Sequence, residues 1–262
     1  MIELSVSRHS IAIDIPESER ALMNDAAGLF GDDAFDREPR QIVPGVVHVP
    51  GWLPLDHQRW LVGQWDHWGR GPIPPHSPLI HGHPMSVRMT SLGWHWDSAG
   101  LQPQAREFGG ASPLPVPDWL IRWGRRALAD AYPRDQAPDW PGLNEDELTA
   151  WAATYTPDVA LINYYEPSAS MGMHQDKDEL SSEPVVSVSV GDTALFRVGN
   201  PQTKNKPFRD VRLASGDLIV FGGPSRYMFH GVPKILPETA PPDGPVKHGR
   251  FNMTLRMTGR TS

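Results

Sequence analysis

An α+β fold with a mainly β core, arranged as a sandwich or jelly roll with helices packed outside one sheet, is what this 262-residue sequence predicts. Up to residue 157 the apolar residues recur mainly at helical spacing; after it they fall into short β-branched or alternating runs. Pro and Gly, 28 and 24 of them, cut the chain into short elements. No internal repeat and no clear linker splits it, so one domain over residues 46–262, with its β core over about 157–260, follows an extension over residues 1–45. That extension is acidic: residues 1–40 hold nine acidic and four basic side chains, which is −5 of the net −7.

Taken in order, residues 17–29 can form a short helix after Pro16, and residues 31–45 read as an acidic loop. PLDHQRWLVGQWDHWG predicts a helix with Asp56 as its cap and Gly69 at its end. Residues 70–84, rich in Pro, Gly and His, predict loop. PDWLIRWGRRALADAY predicts a second helix capped by Asp118, with Leu120, Trp123, Ala127 and Ala131 as its stripe. NEDELTAWAATY predicts a third, with Asn144 and Glu147 spaced as a capping box. VALINYY, VVSVSV, ALFRVG, DVRLASGDLIVFGG and RFNMTLRMT then predict strands.

Composition removes several classes of chemistry. There is no cysteine, so any metal is held by His, Asp or Glu. No apolar run is long enough for a membrane span, and the N-terminus lacks the basic start and apolar stretch of a signal peptide, so a cytoplasmic protein without a membrane partner is the expectation. Net negative charge argues weakly against nucleic acid. Residues 197–212 run the other way, with Arg197, Lys204, Lys206, Arg209 and Arg212 against Asp210.

The densest chemistry lies in HQDKDE at 174–179. In an extended segment His174 and Asp176 point to the same face and can reach one ion. His230, after the apolar strand DLIVFGG, offers a third ligand. Two histidines and a carboxylate make the facial triad of non-haem Fe(II) oxygenases, although zinc accepts the same donors and a charged surface turn explains the pattern without metal. In RFNMTLRMT, Arg250, Asn252, Thr254 and Arg256 share one strand face. Two arginines directed into a β structure call for an anionic partner, and a dicarboxylate fits. Asn163 and Tyr165 share a face of the preceding strand as neutral hydrogen-bonding groups.

Together LINYYEPSASMGMHQDKDE, PVVSVSVG, GDLIVFGGPSRYMFHG, RFNMTLRMTG and the upstream MSVRMTSLGW resemble the AlkB family of 2-oxoglutarate- and Fe(II)-dependent nucleic-acid dealkylation dioxygenases. The resemblance covers roughly the last two thirds of the chain. It implies the double-stranded β-helix form of the jelly roll, a nucleotide-recognition region over about 80–110, and Fe(II), 2-oxoglutarate and O2 as cofactor and cosubstrates. His174, Asp176 and His230 would bind iron; Arg250, helped by Tyr165, would pair with the distal carboxylate of 2-oxoglutarate, and Arg256, Asn163 and Asn252 would serve its other end. Trp94 would stack on the base with His174 opposite, Asp178 would face its exocyclic nitrogen, and Met85 and Met89 would line the pocket. Leu101 stands where the family usually has a tyrosine that touches the substrate backbone, and Lys204 or Lys206 would contact phosphate. The activity implied is oxidative removal of N-alkyl groups, as in 1-methyladenine and 3-methylcytosine, from DNA, single-stranded by expectation, by a monomer, with release of formaldehyde, succinate and CO2. An RNA demethylase or small-molecule hydroxylase of the same fold is the alternative. A non-catalytic jelly-roll binding protein is the alternative of a different class.

Overall fold

The structure, a computed structural model, describes residues 38–132 and 152–260. The expected helix at 17–29 and all but the last residues of the expected third helix lie outside the described residues; the latter's end, 152–154, is helical. In chain order the elements are β1 (Arg40–Val43), β2 (Val46–Val49), α1 (Leu55–Gly69), β3 (Leu79–Ile80), β4 (His83–Pro84), β5 (Val87–Leu92), β6 (His95–Asp97), β7 (Gly100–Gln102) and α2 (Asp118–Ala131). There follow β8 (Val159–Tyr165), β9 (Met171–His174), β10 (Val185–Gly191), β11 (Thr193–Val198), β12 (Arg209–Leu213), β13 (Leu218–Phe221), β14 (His230–Leu236) and β15 (Arg250–Arg256).

Seven strands form one antiparallel sheet in the order β1-β2-β13-β10-β15-β8-β5, and four form a second in the order β12-β11-β14-β9. Each face of the large sheet is covered, as side-chain alternation requires. On β10 and β15, Val186, Val188, Val190, Phe251, Met253 and Leu255 point to one side and pack with Leu61 and Trp68 of α1 and Leu120 and Leu128 of α2. On the other side Val87, Tyr165, Val185 and Phe221 meet Phe196 and Val232 of the small sheet. This is the jelly-roll sandwich with helices outside one sheet.

Two expectations need correction. The boundary at 45/46 cuts the β1–β2 hairpin, and the compact unit begins at Glu38, because the backbone of β1 pairs with β2 and joins it to the large sheet. Neither helix uses its acidic residue as a cap. Pro54 and Pro117 hold the capping positions, and Asp56 and Asp118 lie in the first turns, where they still complement the helix dipole. The 70–84 loop contains only the two-residue strands β3 and β4.

Candidate active site

A cavity of about 610 Å³ opens between the two sheets, a size suited to a small organic ligand. Sheet register builds its floor. His230 of β14 lies directly opposite His174 of β9, with ring centroids 4.4 Å apart. Asp176, two residues beyond His174, brings Oδ1 to 3.7 Å from His174 Nε2 and Oδ2 to 3.6 Å from His230 Nε2. His174 Nδ1 donates to Gly172 O at 2.9 Å, and His230 Nδ1 donates to Met228 O at 3.2 Å. A carbonyl only accepts, so each Nδ1 carries the proton and each Nε2 keeps a lone pair for the shared centre.

Electrostatics support the same reading. Burial pushes the His230 imidazolium down to about 4, so the ring is neutral at physiological pH. Burial alone would raise the Asp176 carboxyl, but Arg256 first, then His230 and His174, bring it down to about 2. Asp176 Oδ1 pairs with Arg256 Nη2 at 2.9 Å, whereas Oδ2 is buried without a hydrogen-bond partner. One carboxylate oxygen is thus anchored and the other is free to ligate. The donor set fits Fe(II): two neutral imidazoles and one ionised carboxylate converge as a facial triad.

The cosubstrate end follows from β15 against its neighbours. Arg250 lies opposite Tyr165, and Asn252 opposite Asn163. Arg250 is 1% exposed; its Nη2 donates to Ser189 Oγ at 2.9 Å, and its Nε and Nη1 are buried with no hydrogen-bond partner. A guanidinium buried with two donors unsatisfied is costly unless an anion meets it, so the residues fit a carboxylate of 2-oxoglutarate. The Tyr165 ring lies 5.1 Å below the guanidinium carbon. Asn163 lines the cavity. Asn252 also lines it, but its amide nitrogen donates to Ser187 Oγ at 2.8 Å and to Val188 O at 3.0 Å, so it acts first as a brace for the sheet.

Arg256 is tied to a network that the sequence did not reveal. Its Nη1 donates to Glu179 Oε1 at 2.9 Å, and Glu179 Oε2 accepts from Arg226 Nη2 at 3.2 Å. Arg226 closes the loop by donating Nη1 to Asp176 O at 2.8 Å. Two arginines and two carboxylates, all buried, thus fix Asp176 through both its side chain and its backbone. Glu179 is the last residue of HQDKDE; only the presence of buried basic partners distinguishes it from a solvated carboxylate, and no spacing rule names Arg226.

On the opposite wall Met85, Met89 and Asp178 line the cavity as expected, but Trp94 does not. It is 9% exposed and packs with Met89, Leu101, Val159 and Leu161. The chain reverses at Gly93, whose φ of +75° and contact with Asp158 O leave no room for a side chain, and the reversal turns Trp94 inward. Trp96, on β6, takes the cavity position instead and donates Nε1 to Asp178 Oδ2 at 3.0 Å. Gly100, φ +94°, lets the β6–β7 turn cross the same carboxylate, since a Cβ there would sit 3.2 Å from Asp178 Cγ. Leu101 is buried in the same cluster as Trp94 and offers no contact to a substrate backbone. Lys204 and Lys206 are exposed, whereas Arg197 is held by Asp210 through two hydrogen bonds of 2.8 Å.

The model of the 2OG-Fe(II) oxygenase superfamily matches residues 45–256. A Caulobacter vibrioides (strain NA1000 / CB15N) protein, an alpha-ketoglutarate-dependent dioxygenase AlkB homolog, is 36% identical over 229 residues, which is 84% of this chain and 90% of that protein. The Arabidopsis thaliana protein named DNA N(6)-methyladenine demethylase ALKBH1C is 29% identical over 227 residues, 82% of this chain and 49% of that one. The solved structure of OsALKBH1 aligns with a TM-score of 0.71 at 31% identity, covering 84% of this chain and 99% of that chain. With the facial triad and the buried arginine in place, these likenesses show that the chain belongs to the AlkB family of 2-oxoglutarate- and Fe(II)-dependent dioxygenases.

Proposed function

We propose that this dioxygenase removes N-methyl groups from alkylated bases in DNA, single-stranded or locally opened, with 1-methyladenine and 3-methylcytosine as the lesion type. The observation that carries the reading is the wall opposite the metal triad: an indole, Trp96, hydrogen-bonded to a carboxylate, Asp178, at the edge of a cavity that also holds His174 and Asp176. Bases methylated on a Watson–Crick nitrogen are cationic at neutral pH. An aromatic face and an unligated carboxylate together suit a cationic base better than a neutral one. Such a lesion does not pair, so extruding it costs less than extruding an intact base.

His174, Asp176 and His230 would hold the iron, and Arg250 the distal carboxylate of 2-oxoglutarate. When bound, the metal and cosubstrate would supply the oxidising power for hydroxylation by O2: one oxygen atom would enter the N-methyl group, giving N-hydroxymethyl, and the other the succinate formed, with CO2, from 2-oxoglutarate. The hydroxymethylated base then sheds formaldehyde. The protein's own work is positional. Arg256 holds the Asp176 carboxylate and Arg226 its backbone, Arg250 and Tyr165 fix the cosubstrate, and Trp96 with Asp178 orients the base.

N6-methyladenine is a second reading, favoured by the Arabidopsis relative's name and by the fact that Asp178 Oδ2 is already engaged by Trp96. Incubation with Fe(II), 2-oxoglutarate and oligonucleotides carrying 1-methyladenine, 3-methylcytosine or N6-methyladenine, as DNA and RNA in parallel, separates the readings by product mass. Demethylation of the N1- and N3-methylated DNA is the expected result. Turnover of N6-methyladenine or RNA alone would replace the proposal.

A further inference from the structure

Outside the catalytic cavity, the described residues bring together a second group of metal-type donors. His76 comes from the loop before β3, His95 opens β6, and Glu107 sits in the short 3-10 turn Arg106–Phe108. Their ligand atoms all lie within 4.8 Å of one another. Glu107 Oε1 is 2.7 Å from His95 Nε2 and 3.7 Å from His76 Nε2, and the two imidazoles stack with centroids 5.8 Å apart.

A plain His–Glu pair accounts for His95 and Glu107 but leaves His76 unexplained. His76 Nδ1 lies 3.0 Å from Pro74 O, an atom that only accepts, so Nδ1 carries the proton and Nε2 a lone pair. That Nε2 is buried and has no hydrogen-bond partner. An orphaned buried acceptor is costly, and here it faces a carboxylate, which cannot donate to it. The arrangement repeats that of the catalytic triad, where His174 and His230 also donate Nδ1 to the carbonyl two residues back. His95 Nδ1 has a side-chain counterpart in Ser91 Oγ at 3.2 Å. The Pro74 carbonyl fixes the His76 tautomer that leaves Nε2 to a metal; His95 Nε2, which donates to Glu107 Oε1 at 2.7 Å without metal, would pass its proton to Nδ1 beside Ser91 Oγ on ligation.

We propose that His76, His95 and Glu107 form a second metal site, structural rather than catalytic, which takes a zinc-type divalent ion. The donors suit it: two imidazoles and a carboxylate with ligands about 2.0–2.1 Å from zinc lie roughly 3.3 Å apart across a tetrahedron. The observed 2.7 and 3.7 Å bracket that spacing. Glu107 is 40% exposed, so a fourth position is open to water. The ion would join three segments that share little regular structure. His76 exchanges backbone hydrogen bonds of 3.0 and 2.7 Å with Met89, and His95 precedes Trp96. Met89 and Trp96 both line the catalytic cavity, so the second site would brace that wall from behind.

The test uses the full chain with its catalytic triad disabled by His174→Ala and Asp176→Ala, stripped with chelator and titrated with Zn2+ and, separately, Co2+. One equivalent of Zn2+ should bind, Co2+ should give the visible absorption of a tetrahedral site, and thermal unfolding should shift upward with Zn2+. Adding Glu107→Gln, which keeps a hydrogen-bond acceptor for His95, should weaken binding by about tenfold or more. Adding His76→Ala should abolish it, and circular dichroism checks that each variant is folded. The proposal is overturned if the triad-disabled protein binds neither ion at micromolar concentration, or if Glu107→Gln binds it undiminished. The Glu107 variant keeps the test decisive even where His76→Ala fails to fold.

Discussion

The two walls of the catalytic cavity hold their working side chains by different means. On the metal wall His174, His230, Arg250, Asn252 and Arg256 all sit on paired strands, and register alone sets His230 against His174 and Arg250 against Tyr165. On the facing wall Met85 comes from a connection, Trp96 from a three-residue strand and Asp178 from a loop. Hydrogen bonds from Trp96 Nε1 to Asp178 Oδ2, from Arg260 Nη2 to Asp178 O and from Met85 N to Pro78 O, with a small apolar cluster, hold that wall together. Metal ligation demands positions fixed to a fraction of an ångström, which two packed sheets supply. Base recognition tolerates more movement, and a short hairpin supplies it with less material.

The sharpest contrast comes from removing a ligand. Asp176→Ala should lower turnover by a factor of about a thousand or more, since it removes several kcal/mol of metal-centred stabilisation and leaves Arg256 with Glu179 as its remaining carboxylate partner. Succinate yield and Fe(II) binding measure it. Retained activity would show that register is not what makes the metal wall work. Glu179→Ala tests the support beneath. It takes the shared carboxylate from two buried guanidinium groups, leaving Arg226 with backbone carbonyls alone, and should cost about 3–5 kcal/mol of stability, read by chemical denaturation, with a loss of iron affinity alongside. A surface-like cost below about 1 kcal/mol would mean that the network is not structural.

Arg250→Ala should next raise the KM for 2-oxoglutarate by about thirtyfold or more, the consequence of losing a buried charged contact of about 2–5 kcal/mol. An unchanged KM would move cosubstrate binding off β15.

These metal-wall residues were legible because a strand has a period of two. Writing Arg250, Asn252 and Arg256 on one face needs only that the segment is extended, and the apolar alternates Phe251, Met253 and Leu255 say which face meets the helices. The strands from 159 onward announce themselves by β-branched residues. The four-residue strands β1 and β2 are too short to stand out from turn-rich surroundings. The facing wall was legible only as composition. Two tryptophans in GWHWD are distinguished by a reversal at Gly93, where the distant Asp158 carbonyl leaves room for glycine alone. Glu179 and Arg226 were hidden for a related reason: their pairing is 47 residues apart in sequence and has no periodicity to betray it.

The tryptophan pair turns the comparison into a measurement. Trp94→Ala should cost about 3–5 kcal/mol of stability, as for a large aromatic removed from a packed cluster. Trp96→Ala should leave stability nearly intact and weaken binding of the alkylated oligonucleotide by about 1–3 kcal/mol of base stacking. If the two effects are exchanged, Trp94 faces the substrate after all.

The smallest expected effect is the most informative about substrate. Asp178→Asn keeps an oxygen that accepts the Trp96 indole N–H, so the hairpin keeps its anchor while the wall loses one negative charge. Asp178 is partly exposed at the cavity edge, where a charge about 4 Å from a cationic base contributes about 1 kcal/mol. The ratio of kcat/KM on 1-methyladenine to that on neutral N6-methyladenine oligonucleotides should therefore fall about fivefold, with succinate formation in the absence of oligonucleotide unchanged. High salt should shrink the wild-type ratio in the same direction, because a partly solvated charge is screened. An unaltered ratio would confine Asp178 to holding Trp96 in place, and the preference for a cationic base would then have to come from the aromatic face alone. A fall in turnover on both substrates together would instead show that the hydrogen bond between the two side chains depends on the charge, and that the wall itself had loosened.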